Sequence, residues 1–211
     1  AMTLLGEGFE SDAQPLPLGI PLEAGHWSGD FVEFTGTQGG VNPAGGNRML
    51  NFLRADYEGK ILQGSYIGDL YRLIDLRPYR ESYADGGSVV QASAQFNAAE
   101  HPDSERYLAG ISLYALDESL VTGGAIREGR EKLLYSDSLA MLRQRGTLLD
   151  RDPTTWQTST GELRLPPGAD FLLVRLGVAH STPEQRRVTF DGQFVDNVRV
   201  VLSRRATLQE N

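Results

Sequence analysis

Phe171-Leu172-Leu173-Val174-Arg175-Leu176-Gly177-Val178 is the most apolar stretch of this 211-residue chain. A nearly continuous apolar run of this length suits a strand buried on both faces at the centre of a sheet. The run follows Pro166-Pro167-Gly168, a strong turn signal, and before that Thr155 to Leu165, another strand candidate. Beyond it come Val188 to Phe190 and Phe194 to Leu202, which close the domain as strands.

Upstream the same grammar repeats. Ile111 to Leu116 mixes aromatic, β-branched and small residues, and Ser88 to Asn97 alternates, with Val90, Ala92, Ala94 and Phe96 on one side. Tyr66 to Leu76 puts Leu70, Arg72, Ile74 and Leu76 on one face and Tyr71, Leu73 and Asp75 on the other. Met49 to Leu53 is a short apolar run, and the last half of Trp27 to Phe34 alternates as a strand does. Between those two lies a glycine-rich loop with Gly36, Gly39, Gly40, Gly45 and Gly46, which suits a chain crossing tightly over a sheet edge. Gly6 to Glu10 reads as a short opening strand, followed by an extended Pro-rich loop from Gln14 to Pro21. Only Glu128 to Arg143, with Leu133, Leu134, Leu139 and Leu142, has helical spacing, and it predicts a helical insertion in one or two pieces.

Many short strands separated by Gly, Pro and Asp turns predict an all-β, two-layer antiparallel β-sandwich, a jelly roll with one short helical insertion. No internal repeat or low-complexity linker divides it, so residues 1–203 read as a single domain and 204–211 as a frayed tail. Ala1-Met2-Thr3 reads as a remnant ahead of the first strand.

Composition narrows the function. There is no cysteine, which excludes thiol catalysis, cysteine-held zinc and iron–sulfur clusters. The formal net charge is −8, and no run of Lys and Arg builds the basic face of a nucleic-acid binder. No apolar stretch reaches the roughly 20 residues needed to span a bilayer.

Two ends of the chain carry a resemblance. Gly8-Phe9-Glu10 near the start and Phe194-Val195-Asp196-Asn197-Val198-Arg199-Val200 near the finish resemble the opening and closing strands of galactose-binding-like jelly rolls, which include several carbohydrate-binding module families. Pro167-Gly168 before a strand and the tryptophan Trp156 fit the same order of features. The opening here lacks the usual Asn-Pro, and Asp196-Asn197 stands where two acids are common. The resemblance implies that first and last strands are neighbours. It also implies that Glu10 and Asp196 hold a structural Ca2+ together with loop carbonyls such as those near Gly46. The alternative is that both carboxylates cap backbone N–H groups or pair with Arg199 or Arg48.

Catalytic constellations do not stand out. There is no Gly-x-Ser-x-Gly elbow and no His-Glu-x-x-His pair, and His26, His101 and His180 lie in three loop-like contexts. Acidic residues are plentiful, Asp75, Glu81, Asp85, Asp117, Glu118, Asp150 and Asp152 among them, but nothing in the sequence marks two as an acid and a nucleophile. The glycine-rich loop lacks the Gly-Lys-Ser/Thr ending of a phosphate loop.

Sugar sites set flat aromatic rings against pyranose faces. Trp27, Tyr66, Tyr79, Tyr83, Tyr107 and Trp156 are available; the two tryptophans read as packing, and Tyr66, Tyr79 and Tyr83, at strand ends or in the loop from Arg77 to Gly87, as the ligand-binding candidates. The expectation is a non-catalytic module of an exported protein, extracellular or periplasmic, that recognises a glycan. A second expectation is a structural or protein-interaction ectodomain that meets another envelope protein. An aromatic-poor sheet face, or an insertion from Thr122 to Asp152 lying over that face, favours the second. A hydrolase or lyase would need two close carboxylates or a His-Tyr-Arg cluster in a cleft.

Overall fold

A computed structural model describes residues 1–57, 60, 66–124, 126, 131–181 and 189–205. Two antiparallel sheets of six strands each form the sandwich. One sheet has the order β10 (Gln157–Arg164), β6 (Ser88–Ala98), β12 (Gln193–Arg204), β4 (Met49–Arg54), β3 (Phe31–Thr35). Its sixth strand, β1 (Met2–Glu7), pairs with β12. The other sheet has the order β2 (Trp27–Gly29), β5 (Ile67–Asp75), β11 (Phe171–His180), β7 (Tyr107–Leu116), β8 (Ala140–Leu142), with β9 (Thr147–Leu148) also on β7.

The expected all-β sandwich is therefore the fold, and the two chain ends are partner strands. Met2 pairs with Leu202 and Glu7 with Val198. A bulge between Asp196 and Arg199 changes the neighbour of β12: before it Phe194 and Val195 pair with β4, after it the strand pairs with β1.

The strand β11 sits in the middle of its sheet, as its apolar reading requires. Its even positions Leu172, Val174, Leu176 and Val178 enter the main core with Leu70 and Ile74 of β5, Ile111 and Leu113 of β7, and Val90, Ala92, Ala94 and Phe96 of β6. Fully burying each large side chain contributes about 1.5–3 kcal/mol. The two sheets are also tied by a hydrogen bond: the Trp27 indole in β2 donates to Glu7 Oε1 in β1 at 2.8 Å.

The odd positions of β11 do not face water. Phe171 and Leu173, with Tyr71 and Leu73 of β5 and Tyr114 and Leu116 of β7, form a second buried cluster. Its lid is the connection between β7 and β10. Leu120 and Val121 of α1 (Glu118–Val121), Ile126, and Leu134 of α2 (Glu131–Asp137) cover it, with Ile20 from the Pro-rich loop.

Four sequence boundaries move. The helix expected from Glu128 to Arg143 is α2 for Glu131–Asp137 only; residues 127–130 lie outside the described set. Ala140 to Leu142 is instead β8, since Leu142 pairs with Leu113 and packs against the main core. The opening strand is Met2–Glu7 rather than Gly6 to Glu10, and the supposed remnant residues Met2 and Thr3 belong to its ladder. Phe9 leaves the strand with φ of 58° so that its buried ring can meet Trp27 at 5.8 Å and Phe34 at 5.3 Å. The tail begins later than expected: β12 runs through Arg204, and the Arg205 N–H donates to Gly87 O. Residues 206–211 and Val188 lie outside the described set.

Candidate functional site

Glu10 and Asp196 both accept hydrogen bonds from the glycine-rich loop, near the place where the chain ends pair. Glu10 Oε1 accepts from the N–H groups of Asn47 at 2.9 Å and Arg48 at 3.1 Å. Asp196 is fully buried at the bulge and accepts from the N–H of Gly45 at 3.2 Å and Asn197 at 2.8 Å. Gly46 has φ of +61°, and a Cβ there would stand 2.0 Å from Glu10 Oε1, so glycine is what lets the loop pass this close to the acid. The loop does cross the sheet edge tightly.

Burial first, and the Glu10 charge second, push the Asp196 carboxyl up to about 6, against the N–H groups of Asn197, Gly45 and Ala44. The pairing with arginine considered from sequence is not what holds these acids: the Arg48 side chain goes to Ser11 O and Asp12. The capping of backbone N–H groups is present. Carboxylate oxygens are the hard donors that calcium takes, although no group of three or more acids or histidines gathers for a metal among the described residues. A carboxylate has about four lone-pair sites, and Glu10 Oε2 takes no donor among the described residues. Two acids without a cationic side chain leave a local negative charge that a hard ion would neutralise.

The three tyrosines singled out from sequence do not form one site. Tyr66 precedes β5 and Tyr79 follows it, so nine extended residues, roughly 30 Å, separate them. Tyr83 is fully buried, and its hydroxyl donates to Ala169 O at 2.6 Å, so its ring cannot meet a ligand in solvent. Tyr79 is half-buried against the main core in a short 3-10 helix, Arg77–Ser82. Tyr107 is buried between His101 and His180, with ring centroids 5.1 and 5.0 Å away, and its hydroxyl lies 3.0 Å from Glu105 Oε2. His101 and His180 are therefore interior groups and not the solvated loop histidines their contexts suggested. The packing reading holds for Trp27, which is buried, and for Trp156, half-buried against Val41, Met49 and Phe194.

One outer face of the sandwich is sealed. Under α2, on the outer face of the β11 sheet, Arg175 donates to both oxygens of Asp69 at 2.6 and 2.7 Å. Its remaining nitrogen lies 3.4 Å from the Tyr114 hydroxyl and 3.3 Å from that of Tyr135, which α2 supplies. The Asp69 N–H donates to Asp30, which Lys60 also holds at 2.8 Å. Burial, and then the Asp69 charge, push Asp30 up to about 7, with Lys60 opposing. The insertion thus covers this face, as the sequence suggested it could, and makes it interior.

The opposite outer face, on the β12 sheet, is open. Two adjoining depressions of about 610 Å³ each run along it. Ser93 and Arg199 line both; Gln95, Thr158 and Asn197 line the first, and Gln91, Thr160 and Glu162 the second. Asn197 donates to Gln95 at 2.7 Å and Gln91 to Glu162 at 3.4 Å, which sets the side chains as a hydrogen-bonded floor. No aromatic side chain is among the lining residues. This face carries no aromatic residue that would mark it in the sequence. The signal was present in β6, where Gln91, Ser93 and Gln95 alternate with the buried Val90, Ala92, Ala94 and Phe96.

No protein-family model matches the sequence, and no curated protein does. Solved structures do match in shape. The CBM22-1 xylan-binding domain from Paenibacillus barcinonensis Xyn10C superposes with a TM-score of 0.52 at 13% identity, over 97% of this chain and 96% of that one. The tandem CBM22-1–CBM22-2 structure from the same protein gives 0.51 at 14% identity, over 98% of this chain and 46% of that one. The fold is a jelly-roll β-sandwich, the one these two structures share. Among the described residues no helix is long and apolar enough to cross a membrane.

Proposed function

We propose that this chain is a non-catalytic module of an exported protein and that it binds a glycan along the open face of the β12 sheet. The observation that carries the reading is the groove itself. A row of amide and hydroxyl side chains, Gln91, Ser93, Gln95, Thr158 and Thr160, lies on a rigid sheet at the spacing of neighbouring strands. Such a row matches the many hydroxyls of an extended sugar chain. The other outer face carries the helices of the insertion, packed on its buried cluster. The likeness to xylan-binding domains supports a sugar as the ligand class. A structural calcium belongs to the same proposal: Glu10 and Asp196 would hold it and tie the glycine-rich loop to the joined chain ends.

Two observations favour a second reading, a structural or protein-interaction ectodomain of an envelope protein: the groove has no aromatic platform, and the insertion lies over the other sheet face. Affinity electrophoresis and calorimetry with neutral and acidic plant and microbial polysaccharides decide between them. A glycan should bind, and Gln95→Ala or Gln91→Ala should each weaken it by about threefold to tenfold, the worth of one or two hydrogen bonds. Absence of binding to every polysaccharide would leave the protein-interaction reading.

A further inference from the structure

We propose that the glycan bound in this groove is acidic, and that Arg199 grips a uronic-acid carboxylate. The inference rests on the groove reading above and names its substrate class. Among the described residues most surface arginines have found an acid: Arg48 pairs with Asp12, Arg77 with Asp75, Arg151 with Asp103 and Arg205 with Glu162. Arg199 is exposed, and its guanidinium has neither ion pair nor hydrogen bond among the described residues. This is unexpected in a chain with 28 acidic and 20 basic residues.

The register explains why it stays free. Arg199 stands opposite Gly6 on β1 and opposite Ser93 on β6. A glycine on one side and a short hydroxyl on the other leave its fork uncovered, at the place where the two depressions join. The two acids along the groove are already engaged. Glu7 accepts from Trp27 at 2.8 Å and from the Phe9 N–H at 3.1 Å, and Glu162 accepts from Arg205 at 2.8 Å. Glu162 is thus neutralised, Glu7 keeps its charge but is tied down by neutral donors, and Arg199 is the charged side chain of the groove with donors to spare. A guanidinium takes a carboxylate through two parallel hydrogen bonds, a geometry that a sugar hydroxyl cannot match. General adhesion to polyanions is disfavoured by the net charge of −8, so an acidic polymer needs a local grip of this kind.

The test uses polygalacturonate and glucuronoxylan, each beside its carboxyl-reduced counterpart, with the wild-type chain, Arg199→Gln and Arg199→Lys. The wild type should prefer the acid form of at least one polymer by about tenfold, the worth of a charge-assisted pair. Arg199→Gln should erase that preference without lowering the melting temperature, and Arg199→Lys should restore it in part. Equal affinity for acid and reduced forms, or a preference that survives Arg199→Gln, would overturn the uronate assignment while the groove reading stands. Binding of no polymer at all, acidic or neutral, would overturn both.

Discussion

Replacing Arg175 by methionine tests whether the covered face of the β11 sheet is interior or a ligand cleft. Arg175 is 1% exposed and Asp69 4%, and the two share hydrogen bonds of 2.6 and 2.7 Å. Arg175→Met fills much of the volume but strands the Asp69 carboxylate in a dry site, beside Asp30, whose charge already raises the local cost. Removing one partner of a buried ion pair costs about 3–5 kcal/mol. That is a large share of the roughly 5–15 kcal/mol that stabilises a typical domain. Urea unfolding followed by the fluorescence of buried Trp27 should show the midpoint fall with the slope unchanged. Adding Asp69→Asn to the variant should recover part of the loss, because the stranded charge is then gone. A loss under about 1 kcal/mol, with polysaccharide binding abolished, would mean that the insertion opens and that this face is the site; the cost in the interior would then have been misjudged.

Three further results are expected. Asp196 has its folded pKa raised to about 6 by burial, so its contribution to stability is fully present below the unfolded value near 4 and is lost as pH rises through 6. In chelator, the stability difference between wild type and Asp196→Asn should therefore shift by about 2–3 kcal/mol against the wild type between pH 4 and pH 7. Calcium at millimolar concentration should raise the wild-type melting temperature at pH 7 and leave that of Asp196→Asn unmoved; equal wild-type curves with and without the ion would remove calcium from the proposal. Tyr83→Phe removes the buried hydrogen bond to Ala169 O and should cost about 1–2 kcal/mol with no change in glycan affinity, by melting and calorimetry; an altered affinity would return Tyr83 to the list of binding residues.

The fold was legible because burial leaves a mark on every strand. The apolar run of β11, the alternation in β6 and the turn at Pro166-Pro167-Gly168 each state which way a side chain faces. The pairing of the first strand with the last was legible as well, since a short Gly-Phe-Glu opening and an Asp-bearing closing strand belong to a resemblance that covers nearly the whole chain as an order of features. The turn of Phe9 to positive φ was not, because it depends on rings contributed by Trp27 and Phe34, far along the sequence. The end of α2 was hidden for a related reason: Leu142 has helical spacing, yet a partner on β7 claims its backbone. Hydrogen bonding across a sheet outweighs local propensity whenever the partner strand is already in place.

The candidate site was harder to read because recognition by polar side chains leaves no compositional mark. An aromatic platform announces itself by residue type, and that expectation led to Tyr66, Tyr79 and Tyr83, which the fold scatters to two ends of β5 or buries. Gln91, Ser93, Gln95 and Thr158 are what any solvated strand face shows, and only the neighbouring register turns them into a floor. Arg199 carries the one departure from that bland pattern. A free guanidinium beside a glycine and a serine has meaning only when β1, β12 and β6 are seen side by side, because in the sequence Gly6, Arg199 and Ser93 are nowhere near one another. If the surface were tuned for solubility alone, an acid in a chain so rich in acids would cost nothing opposite Arg199 and would gain a pair. Position 93 holds serine and position 6 holds glycine, which keeps the fork clear for a carboxylate from outside.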